Sequence, residues 1–457
     1  MDPAARDVVN AQLAAFAHPW HATLDRLLAA RTPYEIRGAA VPSLVPEATS
    51  PARRRRQRAR KLGLDEADLD FRDCFPGLDL GIYACSHSMG VPSVAGPAAV
   101  ADHLAQLGRH GIGTWDEGQW VRVMDQYRER VAALVGGHLD HGDVTWFPNA
   151  SDALSAVLEC IDGGTLVYTR GHFTTGHYVH HQWSQNTGGT LVEVPTDEDG
   201  AVPTGRLVDA LHPGVRVLSI SHALFESGWL QDLPALSAAL RERAPGAILL
   251  LDAYQTAGTV PIDVAALGDH VVVVAAGHKQ LRSGTGAGFM YMSRRLLAQL
   301  IPRRTGWWNH RDPFAFEKGA VVRADDGTRF RTGTPTVMGM AMLLGELATL
   351  AASAGGDLGA AVRRARRVTQ GLVDTALLAA SSHGLRVRGD WPSARRAAFV
   401  CVEVDDGPRV NEALARQGIR ADFRPSEGRA GWMRVSGNAA AFPYEIEAVI
   451  EAIARAR

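Results

Sequence analysis

Between residues 95 and 330 the sequence alternates two patterns, and that alternation excludes most folds. Gly96–Leu107 and Trp120–Val135 carry apolar residues at helical spacing. Short unbroken apolar runs follow at Thr165–Tyr168, Gly189–Val194, Arg216–Ser221, Ala247–Asp252, His270–Ala276 and Gly288–Met292. A strand covered on both faces has no polar side to alternate with, so it reads as a continuous run. Strands of that kind interleaved with helices predict an α/β layered domain around a mostly parallel sheet. From about residue 335 the pattern changes. Val337–Ala352 and Leu358–Ser381 read as long helices, followed by strands at Ala398–Val404 and Gly431–Ser436 and a closing helix at Pro443–Ala454, which predicts a smaller α+β domain. At 457 residues the chain exceeds what one core ordinarily supports. The expected division is an N-terminal arm over 1–80 that packs with the small domain, a large domain over 81–335 and a small one over 336–457. Within the arm, Asn10–Ala30 has helical spacing, and Pro33, Pro42 and Pro46 then break the chain.

Charge and composition narrow the partners. The net charge is −1, which gives no general attraction to nucleic acid or to membranes. Arg53–Lys61 (RRRRQRARK) is a dense basic run, but one short run on a neutral chain reads as a solvated helix face. No apolar run is long enough to cross a bilayer, and the first residues have no basic stretch leading into an apolar core, so no signal peptide is expected. Cys74, Cys85, Cys160 and Cys401 are far apart, with no CxxC pair to suggest a metal site or a disulfide framework. No metal is expected, and a reducing cytoplasm is the expected compartment.

Two strand ends carry unusual chemistry. ILLLDAYQ ends in Asp252 and Gln255, and VVVVAAGHK ends in His278 and Lys279. Ligands of open α/β sheets bind at the carboxyl ends of the strands. Lysine occurs only three times, at Lys61, Lys279 and Lys318, against 45 arginines, so lysine-specific chemistry has few candidates. Pyridoxal phosphate (PLP) chemistry needs a lysine amine for the Schiff base and an acid beside the pyridinium nitrogen. Lys279 and Asp252 fit those two roles as catalytic residues. A structural Asp–Lys ion pair between neighbouring strands is the open alternative. FPNASDAL at 147–154 enters a helix with Ser151 as the expected N-cap and Asp152 beside it. The free N–H groups of a helix N-terminus make an anion site.

Six segments in order resemble the class V aminotransferase group of fold type I PLP enzymes, and kynureninase most closely. They are IYACSHSMG (82–90), DAYQ (252–255), GHK followed by RSGTGAGFMY (277–291), GWWNHRDPFAFE (306–317), FRTGTP (330–335) and ADFRP (421–425). The resemblance runs from about residue 80 to the C-terminus. It implies PLP as cofactor, held by Ser151, Asp152, Phe173, Asp252, Gln255, His278, Lys279, Trp307 and Thr334. Phe173 would stack on the ring, with His172 taking that place if the register shifts by one. Ser88, Arg424 and Arg434 would bind substrate, and either arginine can supply the fork that matches a carboxylate. Thr334 would reach a neighbouring subunit's cofactor, which implies a homodimer with shared active sites. The chain departs from the kynureninase pattern in three places. Gln255 stands where a histidine is usual, His278 where a tyrosine is usual, and Thr334 where an asparagine is frequent.

The expected function is therefore a PLP-dependent lyase or hydrolase that cleaves a bond at Cβ of an L-amino acid, by kynurenine-type hydrolysis or cysteine-S-conjugate β-elimination. A class V aminotransferase or a decarboxylating PLP enzyme of a biosynthetic pathway is the alternative within enzymes. A PLP-binding regulatory protein is the alternative outside them, but residues 1–80 show no helix-turn-helix. A cysteine desulfurase is disfavoured, because Cys401 lies inside the apolar run AAFVCVEV rather than on a loop.

Overall fold

The computed structural model describes residues 66–116 and 119–457. The expected helix at Asn10–Ala30 and the basic run Arg53–Lys61 lie outside the described residues. The centre is a seven-stranded sheet in the order β4-β3-β5-β6-β7-β8-β2. Its members are β2 (Gly142–Phe147), β3 (Thr165–Thr169), β4 (Thr190–Val194), β5 (Val215–Ser221), β6 (Ile248–Asp252), β7 (Val271–Ala276) and β8 (Gly288–Ser293). The pairs from β4 through β7 are parallel, and β8 runs antiparallel to both of its neighbours. This is the α/β class expected from the apolar runs. The run Gly142–Phe147 did not stand out in the sequence, yet it forms the edge strand.

The apolar runs are continuous because alternate residues serve two cores. Val271, Val273 and Ala275 of β7 face one, with Leu249 and Leu251 of β6. Val272 and Val274 face the other, with Ile248 and Leu250. Burying a Val or Leu side chain stabilises by roughly 1.5–3 kcal/mol on either face, and a slip of one residue would push each set into the other core, whose packing it does not match. Helices α1 (Ala95–His110), α2 (Gln119–Leu134), α3 (Ala150–Leu158), α4 (Thr174–Thr187) and α5 (Leu233–Arg243) cover the faces, and α6 (Val337–Ala352) adds Met340, Leu343, Leu347 and Leu350 to the larger core.

Beyond α6 and α7 (Leu358–Ser382), a four-stranded antiparallel sheet runs in the order β12-β13-β10-β9. Its strands are β9 (Val387–Arg388), β10 (Val400–Val404), β12 (Asp422–Glu427) and β13 (Ala430–Val435). Helices α7, α8 (Gly407–Arg416) and α9 (Pro443–Ala456) close a separate apolar cluster over it. The early chain is tied to this region at several points. β1 (Ile82–Tyr83) pairs in parallel with β11 (Ile419–Arg420), and buried Arg72 forms a two-point pair with Glu445.

The loop after β7 is shaped by close contacts. Gly90 N–H donates to His278 O at 2.7 Å, and a Cβ on Gly90 would meet Lys279 O at 2.1 Å, so only glycine fits that approach. Arg282 adopts a left-handed φ of 63°, which few non-glycine residues do. Its guanidinium is buried against Glu346 at 3.2 Å and over the Phe75 ring. Ser93 N–H donates to the same carboxylate at 2.8 Å. Burial pushes the Glu346 carboxyl up to about 7 against the pull of Arg282.

Candidate active site

A cavity of about 240 Å³ opens where the carboxyl ends of the parallel strands meet the small sheet. Strand order reverses beside β3, with β4 on one side and β5 on the other, and a crevice forms at such a switch point. Nine residues picked out from the sequence line it: Ser88, Ser151, Phe173, Asp252, Gln255, His278, Lys279, Arg424 and Arg434. Each from the large sheet sits just beyond a strand: Ser151 after β2, Phe173 after β3, Gln255 after β6, and His278 and Lys279 after β7. Asp252 is the last residue of β6 and pairs across to Ser221 and Val274.

Lys279 is half-buried, and desolvation pushes its amine down to about 8; Asp252 opposes that shift, while Arg434 and Arg424 add to it. Its Nζ lies 4.5 Å from the Tyr254 ring centroid and 5.7 Å from that of Phe173. No ion pair joins Asp252 and Lys279 among the described residues, so the structural pairing left open above is absent. Asp252 Oδ1 accepts instead from Tyr254 N–H at 2.9 Å. Gln255 is buried, and neither polar atom of its amide has a partner among the described residues.

One expectation for the anion site needs correction. Asn149, not Ser151, is the N-cap of α3. Its side chain accepts from Asp152 N–H at 3.0 Å because Asn149 is extended where the helix begins. Ser151 falls inside the first turn, where its own N–H and that of Ala150 have no intrahelical partner. Ser151 Oγ donates to Thr175 Oγ1 at 3.3 Å, and both hydroxyls border the cavity. Asp152 faces away, bonded to Asn149 Nδ2 at 2.9 Å and 4.0 Å from Arg304, so it does not line the cavity.

Phe173 and His172 face different surroundings. Phe173 lines the cavity, 43% exposed, with its ring against Phe225. His172 is buried behind it, its ring nitrogens bonded to Ser221 Oγ at 2.9 Å and Ser219 O at 3.1 Å. Trp307 and Thr334 do not line this chain's cavity. Trp307 packs among Trp115, Trp308 and Phe316, and Thr334 is exposed.

The small sheet contributes a charged wall. Asp422 on β12 stands directly across from Arg434 on β13 and binds its Nε at 2.9 Å and its Nη2. Arg434 Nη1 donates to Phe225 O at 3.1 Å. The Arg434 side chain is 1% exposed and that of Arg424 is 44%, with Arg424 Nη2 3.3 Å from the same Asp422 carboxylate. Burial works to raise Asp422, but the His87 hydrogen bond and Arg434 outweigh it and hold the carboxyl well below the usual carboxylate range. His87 bonds Asp422 at 3.2 Å and Ser436 at 2.7 Å, and burial pushes it down to about 4. Asp422, Tyr254, Thr175 and Phe225 carried no site signal in the sequence, because each is an ordinary residue that acquires meaning only through its neighbours. Among the described residues no cluster of His, Cys, Asp or Glu is set to hold a metal, and no helix is long and apolar enough to cross a membrane.

In the cofactor-free protein, acylation of Lys279 should rise with pH around a midpoint near 8. The Asp252 charge favours the ammonium form, so Asp252→Asn should move that midpoint lower. Peptide-resolved labelling across pH checks both; a midpoint that rises in the variant would show that Asp252 does not act on this amine.

Known proteins resemble this chain in sequence and in fold. A kynureninase of Burkholderia mallei (strain SAVP1) is 27% identical over 387 residues, covering 81% of this chain and 88% of the relative. An uncharacterised aminotransferase of Bacillus subtilis (strain 168), YcbU, is 28% identical over 269 residues, covering 58% and 68%. Among solved structures, a C-DES variant with glycine covalently linked to its PLP cofactor superposes with a TM-score of 0.74 at 19% identity, covering 84% of this chain and 99% of that one. The cysteine desulfurase CsdA of Escherichia coli superposes with a TM-score of 0.71 at 21% identity, covering 85% and 98%. The model of the aminotransferase class-V family matches residues 105–422, most of the chain, and the protein belongs to that family.

Proposed function

We propose that the protein is a pyridoxal 5′-phosphate enzyme that cleaves a bond at Cβ of an L-amino acid, by kynurenine-type hydrolysis or β-elimination from a cysteine S-conjugate. The observation that carries this reading is Lys279, a half-buried amine pushed down to about 8, without an ion pair among the described residues, in a cavity shared with Asp252 and the N-terminus of α3. The residues present fit the cofactor. Lys279 is the point of attachment, and Asp252 is the partner of the pyridinium nitrogen. Phe173 covers the ring, and the unpartnered Gln255 amide has hydrogen-bonding capacity left for it. Ser151, Thr175, His278 and the free N–H groups of α3 form the phosphate cradle. When bound, the cofactor supplies an electron sink for charge developing at the substrate α-carbon.

The chain's own residues supply the rest. Lys279 Nζ, pushed down to about 8, has a free electron pair in a useful fraction of molecules at neutral pH and can take the α-proton. Asp252 keeps a proton on the ring nitrogen by its negative charge. Arg424 has most of its fork free and is the carboxylate clamp in this reading, while Arg434 is engaged by Asp422 and Phe225 O and holds that wall in place. Kynureninase relatives support the choice of Cβ chemistry over transamination. Cys401, the cysteine on β10, is buried in the sheet with its thiol pushed up to about 12, which leaves no mobile nucleophile there for desulfuration. We also read the protein as a homodimer, because Thr334, Trp307, Phe314 and Phe316 are exposed and Thr334 has no role in its own cavity.

Borohydride treatment of the PLP-loaded protein should fix the cofactor on the Lys279 peptide, and a screen of L-amino acids should find one that releases a Cβ product. A label on Lys61 or Lys318 would overturn the reading. Arg424→Lys keeps the charge but loses the fork. It should weaken substrate binding by roughly tenfold or more with PLP affinity little changed. An unchanged apparent substrate affinity would move the clamp to Arg434. Mixing inactive Lys279→Ala protein with a Thr334→Ala variant crippled in phosphate binding should restore part of the activity in mixed dimers. No recovery despite demonstrated subunit exchange would exclude shared sites.

A further inference from the structure

Tyr254 lies between Asp252 and Gln255, and its hydroxyl is 2.8 Å from His278 Nδ1. The two rings meet edge-on with centroids 4.9 Å apart. No second partner of that hydroxyl is found among the described residues. A phenol O–H is a good donor and a poor acceptor, and the bare nitrogen of a neutral imidazole is a good acceptor, so the favoured arrangement has the phenol donating to Nδ1. Both groups are neutral near pH 7. Burial, then the Asp252 charge, pushes the phenol well above its usual value, and burial, then the Lys279 charge, pushes the imidazole down to about 4. A neutral imidazole whose Nδ1 accepts must carry its proton on Nε2. Nε2 has no protein partner among the described residues, and His278 borders the cavity together with Ser151.

We propose that Tyr254 is a positioning residue that fixes His278 as its Nε2–H form, so that a neutral ring presents a hydrogen-bond donor to the phosphate of the cofactor. This rests on the PLP reading above. Without the phenol, the two neutral tautomers of His278 become close in energy. In one of them a lone pair, not an N–H, faces the anion. The phenol therefore acts on the phosphate through the imidazole, without touching it. The Tyr254 ring beside Lys279 Nζ makes a second contact that Phe would keep, so the hydroxyl can be tested alone.

The test is Tyr254→Phe. In cofactor-free protein labelled with ¹⁵N-histidine, the His278 resonances, assigned by their loss in His278→Asn, should report a single Nε2–H tautomer that becomes a mixture in Tyr254→Phe. A Nδ1–H tautomer in the parent protein, or no change in the variant, overturns the proposal. PLP affinity, measured by fluorescence titration, should fall roughly three- to tenfold in Tyr254→Phe. It should not fall further when Tyr254→Phe is added to His278→Asn, and affinity for pyridoxal, which lacks the phosphate, should hold. An equal loss in the His278→Asn background, or an equal loss for pyridoxal, would show that Tyr254 acts by another route. Failure of PLP to bind at all would remove the cofactor reading, and the tautomer measurement would still decide the Tyr254–His278 pair.

Discussion

The hydrogen-bonded register of β5, β6 and β7 is the constraint on which the site depends. Ser221, Asp252 and Val274 are level with one another across the sheet. That places the Asp252 carboxylate at the crevice and leaves Lys279 to be delivered by a turn after β7. The apolar side chains above and below serve two filled cores, so the register is fixed by packing on both faces. Chemistry at the strand ends is thereby separated from stability in the strand interiors.

The electrostatics of the cavity follow from what surrounds the amine. Two arginines and burial act against the ammonium form of Lys279, and Asp252 and Asp422 act for it. Asp422 also faces Arg434, Arg424 and His87, so one carboxylate organises the whole wall from the small sheet. The buried members of this wall, Arg434 and His87, are costly to bury unless they are paired. Asp422 pairs with both, from a position directly across the strands from Arg434.

Much of this was legible in the sequence. The runs ending at Asp252 and Lys279 announced both strands and both functional ends, because lysine and aspartate are expensive just past a buried strand. Six of the nine expected residues that line the cavity lie at or just beyond strand ends of the large sheet, which the apolar runs do locate, whereas the order of those strands was visible only in the structure. The N-cap was misread because Asn149 and Ser151 are both good caps, and only the backbone at the end of β2 decides between them. Tyr254 and Asp422 were not visible as site residues, since a tyrosine beside an apolar strand reads as core and an aspartate on a hairpin reads as surface. Thr334 and Trp307 stand away from the cavity of their own chain, and no single-chain pattern says what they face.

The contact between Gly90 and the Lys279 carbonyl has a consequence for how the protein is made. The turn that carries Lys279 is braced by a segment nearly two hundred residues earlier in the chain, and the wall opposite comes from β12 and β13, more than a hundred residues later. The residues of β12 and β13 leave the ribosome only after every strand of the large sheet has been made. A nascent chain emerging from the ribosome would therefore display its reactive lysine on a finished sheet well before it owned a pocket. Competence to retain a cofactor arrives only when the last strands are synthesised, so binding itself becomes a marker of completed folding.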